Sequence, residues 1–200
     1  MSETFSEADL EPSADERRAR RVDVIDRVAA TVAALSVGVV VGGMFALGAC
    51  AAPFVFQLTP APFSGDAMGS AFARFDQIAI TLSVVLLGAE VVRTFLARRQ
   101  PQTASVRLRR LAGIVFAACT AYMGLSLSPT INELHRAGAR RGVGPDGVRL
   151  DEIHHRASAV GKVELGVGVI LVGLHVFGVR GRREEDEDEA DAPLPPGPRG

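Results

Sequence analysis

Asp76, Glu90 and Arg93, followed by Lys162, Glu164 and His175, are ionisable side chains lying inside runs that are otherwise apolar. A charge at mid-span costs about 2.5–3.5 kcal/mol on insertion scales, so groups of this kind are where function is sought first. Glu164, Gly168, Leu171 and His175 follow one another at helical spacing and share one face. By helix rise, Glu90 lies about 21 Å from Asp76 and His175 about 16 Å from Glu164, so two polar levels are expected. The sharper chemistry is a proton-responsive or ion-binding pair in which Glu90 meets His175. The plainer one pairs Glu90 with Arg93, one turn away on the same helix, with both reaching the interface. Asp76 and Lys162 come at similar depth on the other level.

The histidines allow two further readings. A b-type haem needs two histidines at matching depth on facing helices, whereas His155 and His175 stand at opposite ends of one segment. His135, His154 and His155 could gather and bind copper or zinc, which imidazole suits. Neighbouring residues on a helix point about 100° apart, so only one of His154 and His155 is expected to face inward. The structural reading is that His155 and Ser158, one turn apart, bond across to the preceding helix. No serine or cysteine stands in a nucleophile arrangement, and Gly142-Val143-Gly144 precedes a proline and reads as a turn rather than a phosphate loop. No catalytic residue, cofactor or metal is assigned.

These residues have to be positioned by helices that cross a membrane. Hydrophobic residues make up 48% of the 200, and the charges are segregated to the ends and to a few linkers. From Val28 to Cys50 roughly 23 residues carry no charge, enough to cross a hydrocarbon core of about 30 Å. Four spans are expected, at about 28–52, 75–96, 111–128 and 157–179. The fold class is all-α, a four-helix transmembrane bundle with disordered polar tails: residues 1–22, a membrane domain at 23–180, and an acidic, proline-rich 181–200. Gln57 to Arg74 reads as a loop outside the membrane. The third and fourth helices are expected to project as a hairpin broken at Gly142–Gly147. In the first span Ala30, Ala34, Gly38, Gly42, Ala46 and Cys50 form a ridge of small side chains suited to helix packing. Four residues turn a helix by about 400°, so the ridge wraps around the rod and can serve more than one neighbour.

About 15 of the 22 arginines and lysines lie in the N-terminal segment, the second-to-third linker and the C-terminal segment, which places both termini in the cytoplasm. Leu47-Gly48-Ala49-Cys50 has the form of a lipoprotein cleavage box, but the charged leader is long for a signal peptide. Cys50 and Cys119 both fall in apolar spans, where a thiol behaves as a small hydrophobe rather than part of a disulfide framework.

Gly42-Gly43-Met44-Phe45, Ala52-Pro53-x-x-Phe56, Gly69-x-x-Phe72-x-Arg74-Phe75, Ser128-Pro129 and His155-x-x-Ser158 together resemble the transmembrane protein 205-like family, whose bacterial members carry the membrane domain of unknown function 4149. The resemblance covers about residues 28 to 178. It implies a four-span membrane protein without established enzymatic activity. Lys162 departs from it, standing where a neutral asparagine is expected. The functional expectation is a non-enzymatic structural or accessory bundle of a bacterial inner membrane. Its partners are the lipid bilayer and either a second copy or another membrane protein; nucleic acid is not among them. The alternative is a small-solute, proton or metal-ion transporter working as an oligomer.

Overall fold

The computed structural model describes the backbone of residues 13–60, 63–98 and 103–190, with side chains as far as Phe177. Four long helices carry the architecture: α1 (Ala14–Leu58), α2 (Phe63–Leu96), α3 (Ala104–Arg136) and α4 (Gly144–Ala190). All four are long and apolar enough to cross a membrane, and the described residues contain no strand beyond an isolated bridge between Arg140 and Val143.

Each helix end has a local cause. Ser13 opens α1 with a capping box, its hydroxyl accepting from the Glu16 amide at 3.2 Å while the Glu16 carboxylate accepts from the Ser13 amide at 2.6 Å. The following Ala, Glu and Arg residues are strong helix formers. The helix therefore already runs through Ala14–Val22, a stretch expected to be disordered; residues 1–12 of that tail lie outside the described residues. The backbone of α4 likewise stays helical to Ala190, past the expected boundary at 180, and 191–200 lie outside the described residues. The expected loop at Gln57–Arg74 is also overturned over most of its length. Helix α1 runs to Leu58 and α2 starts at Phe63, so the glycines of that stretch lie within α2. Between α3 and α4, Gly138, Gly142 and Gly144 take positive φ (79°, 73° and 70°), and Gly144-Pro145 is a helix start rather than a plain turn.

Two prolines sit inside the rods. Pro53 and Pro129 lack an amide hydrogen, and their rings crowd the carbonyl four residues back. A wide π-helical turn stands directly before each, at Ala46–Ala51 in α1 and Met123–Leu127 in α3. The extra residue in such a turn accommodates the missing bond, so each helix continues past its proline.

The rods run alternately up and down. Helix α1 packs against α2 and α4, and α3 against the same two, which leaves α1 and α3 on a diagonal. The core is a line of small and branched residues, Ala29, Ala33, Val37 and Val40 of α1 meeting Ala79, Leu86, Phe116 and Leu171. Small side chains allow backbones to approach closely where lipid supplies no hydrophobic drive. Gly43 lies against the Phe75 ring, and Gly168 against Val41 and Phe116. The outer surface is as apolar as the interior: Leu35 is 62% exposed, Val84 65% and Leu111 59%. That inversion is what a bilayer solvent selects.

The small-residue ridge of α1 divides as its helical drift dictates. Ala30 is buried and Ala34 half-buried, but Gly38, Gly42, Ala46 and Cys50 are exposed, and a side-chain carbon added at Gly38 or Gly42 would meet nothing within 4 Å. The lower part of the ridge thus packs inside the bundle, and the upper part faces away from it.

Candidate functional site

Near the end of the bundle where the chain enters and leaves, ionisable side chains from all four helices converge on Glu90. This residue is 5% exposed. Arg109 of α3 donates from Nε to Glu90 Oε2 at 3.1 Å and lies 3.0 Å from Oε1. Arg93, one turn along α2, donates from Nη1 to Oε1 at 3.3 Å and from Nε to Asp26 Oδ1 of α1 at 3.1 Å. His175 of α4 brings Nε2 to 3.8 Å from Glu90 Oε1, beyond hydrogen-bond range, and neither of its ring nitrogens has a hydrogen-bond partner. Two carboxylates face two guanidiniums, so with a neutral imidazole the cluster sums to zero charge.

Of the two partners expected for Glu90, Arg93 is bonded to it while His175 lies close without a hydrogen bond, and Glu90 is buried rather than reaching the interface. The group that meets both carboxylate oxygens is Arg109, which the expected spans leave in the second-to-third linker. Helix α3 begins at Ala104, and Arg109 shares the buried face of Ala112, Gly113, Phe116, Ala117 and Thr120. That spacing of three and four was the available signal. Asp26 falls just outside the first expected span, although it stands one turn before buried Ala29 and Ala30.

The second level lies toward the α3–α4 hairpin. Asp76 and Glu164 are buried there, Glu164 with its Oε1 at 2.6 Å from the Thr120 hydroxyl. Lys162, expected at the depth of Asp76, is exposed. It stands two positions from Glu164, and about 200° of helix rotation carries it to the opposite face.

At the hairpin itself, the expected contacts of His155 and Ser158 are not made. Both are exposed, and His155 lies 3.6 Å from Asp151 on its own helix. His154 faces inward in its place, with its ring edge-on to His135 at a centroid distance of 5.8 Å. The 100° step between neighbours allows one of the two to face α3, and it is the other one. Replacing His155 with alanine is expected to leave the unfolding midpoint of the lipid-reconstituted protein within about 0.5 kcal/mol of the parent. A larger loss would place His155 in a contact that its exposure denies.

Residues 35–140, more than half of the chain, match the model of a domain of unknown function, DUF4149. The chain belongs to the DUF4149 family. No curated protein and no solved structure matches it. In this DUF4149 protein the matched stretch holds Asp76, Glu90, Arg93, Arg109 and Thr120, whereas Asp26, Glu164 and His175 lie outside it. The match carries the bacterial side of the resemblance seen in the sequence; the kinship with transmembrane protein 205-like proteins is not part of it.

Proposed function

We infer that this DUF4149 protein is a non-enzymatic accessory bundle of the bacterial inner membrane, with both termini cytoplasmic, which associates with a second copy or with another membrane protein. The observation that carries this reading is the closure of the Glu90 cluster. Its guanidiniums and carboxylates bond one another, and the side chains of Glu90 and His175 are 7% and 1% exposed. A solute site keeps polar groups facing a cavity, whereas these groups are used up in joining α1, α2 and α3. A surface groove of about 440 Å³ between α1 and α2 is lined by Val24, Val28, Val85, Val92 and other apolar residues, and does not include the cluster. Arginines flanking α1 and opening α3 support cytoplasmic placement of that end.

The outward half of the α1 ridge is the place where a partner helix would lie. Cys50 stands at its upper end and is exposed, so it reports on close approach without an introduced residue. In native membranes of a Cys119→Ser variant, mild oxidation is expected to give a Cys50-linked species, and Gly42→Leu is expected to abolish it while leaving the fold intact. Flux of protons or ions through proteoliposomes, lost in Glu90→Gln, would overturn the accessory reading in favour of transport.

A further inference from the structure

The hairpin level differs from the Glu90 level in having acids without bases. Asp76 on α2 is 9% exposed, and its Oδ2 has no hydrogen-bond partner. Glu164 on α4 is 4% exposed and meets Thr120 of α3, one turn from Gly124, which lies against the Asp76 Cβ. Helix α3 supplies Thr120, which touches Glu164, Ser128, which reaches Asp76, and Cys119 near Glu164. Helix α1 brings no titratable group between Arg27 and Cys50, and Lys162 points away. Among the described residues, neither carboxyl forms an ion pair. Two unpaired negative charges in such surroundings are among the costliest arrangements a bundle can hold, and protonation relieves the cost.

The Thr120 hydroxyl stands between two acceptors and has one hydrogen to give to one of them. Its Oγ1 is 3.0 Å from the Phe116 carbonyl oxygen and 2.6 Å from Glu164 Oε1. A hydroxyl has a single hydrogen to donate, and a backbone carbonyl can only accept. With the Thr120 hydrogen on the Phe116 carbonyl, the 2.6 Å contact is a hydrogen bond only if Glu164 is protonated and donates. The distance suits a short O–H···O bond. Carboxylic acid, hydroxyl and carbonyl then form one directed chain.

We propose that Asp76 and Glu164 form a proton-binding carboxyl pair within the membrane, Glu164 carrying a proton that it donates to Thr120, and Asp76 offering its unpartnered Oδ2 as a second position. Uptake is simple protonation: a carboxylate oxygen takes H⁺ from hydronium arriving at the hairpin end, and water departs. Gly124 lies in the π-helical turn of α3 directly over the Asp76 Cβ, so this turn covers Asp76.

Infrared spectroscopy of the lipid-reconstituted protein tests the pair. At neutral pH a carboxylic-acid carbonyl band is expected. It should be lost in Glu164→Gln and moved to higher frequency in Thr120→Val, while Asp76→Asn should remove its pH-dependent component. Solid-state NMR of the unmutated chain with ¹³C-labelled Asp and Glu gives the same answer without relying on a variant, through a Glu carboxyl shift in the protonated range at neutral pH. A wild-type protein with every carboxyl ionised at neutral pH would overturn the proposal. So would a band that survives both Glu164→Gln and Asp76→Asn, or one abolished by sodium chloride but not by an organic salt, which would make the occupant a metal cation.

Discussion

Glu90→Leu is expected to destabilise the bundle by about 3–5 kcal/mol, the cost of leaving buried charge without its counter-charge. Arg109 would lose both carboxylate contacts in a site where its own exposure is 9%. Arg93 would keep Asp26 at 3.1 Å, so the loss falls mainly on Arg109. The measurement is the unfolding midpoint in a detergent titration of the lipid-reconstituted protein. Adding Arg109→Met to Glu90→Leu should restore much of the loss, because an apolar pair of similar volume can replace a buried ion pair at little cost. The two changes should therefore be non-additive by a substantial part of the single-variant effect. A Glu90→Leu protein as stable as the parent would mean that the cluster is wet and screened.

The second large effect comes from glycines that look alike in sequence. A methyl group at Gly168 would meet Val41 and come within 2.9 Å of Phe116, a ring with 0% exposure that has nowhere to move. At Gly166 it would meet nothing within 4 Å. Gly168→Ala should then cost about 1–3 kcal/mol through overpacking, even though alanine is the better helix former by about 1 kcal/mol. Gly166→Ala should be neutral or slightly stabilising. Equal effects from the two substitutions, read from the same unfolding titration, would contradict the close crossing of α4 with α1 and α3.

The long apolar runs made the four rods legible in the sequence, and helix rise brought Glu90 and His175 to one depth. Rise says nothing about rotation, however, and that is where expectations failed. His155 and Lys162 were placed at suitable heights but face outward, while His154 and Glu164 face in. Arg109 and Asp26 were missed for a different reason. Both stand beside charge-free runs and outside the expected spans, whereas α1 and α3 begin well before those runs and continue the same buried face into them. The helix starts at Ala14 and Phe63 were hidden because capping and helix propensity act over a few residues, a weaker signal than a charge-free run of roughly 23.

Leu86, Phe116 and Leu171, none of them measurably exposed, fill the section between the Glu90 cluster and the Asp76–Glu164 pair. Such filling keeps the local dielectric low, with buried Ser83 as a hydroxyl at the same level. Charges on the two levels are therefore screened less than they would be in water, and a proton gained at Asp76 or Glu164 is felt electrically at the Glu90 cluster.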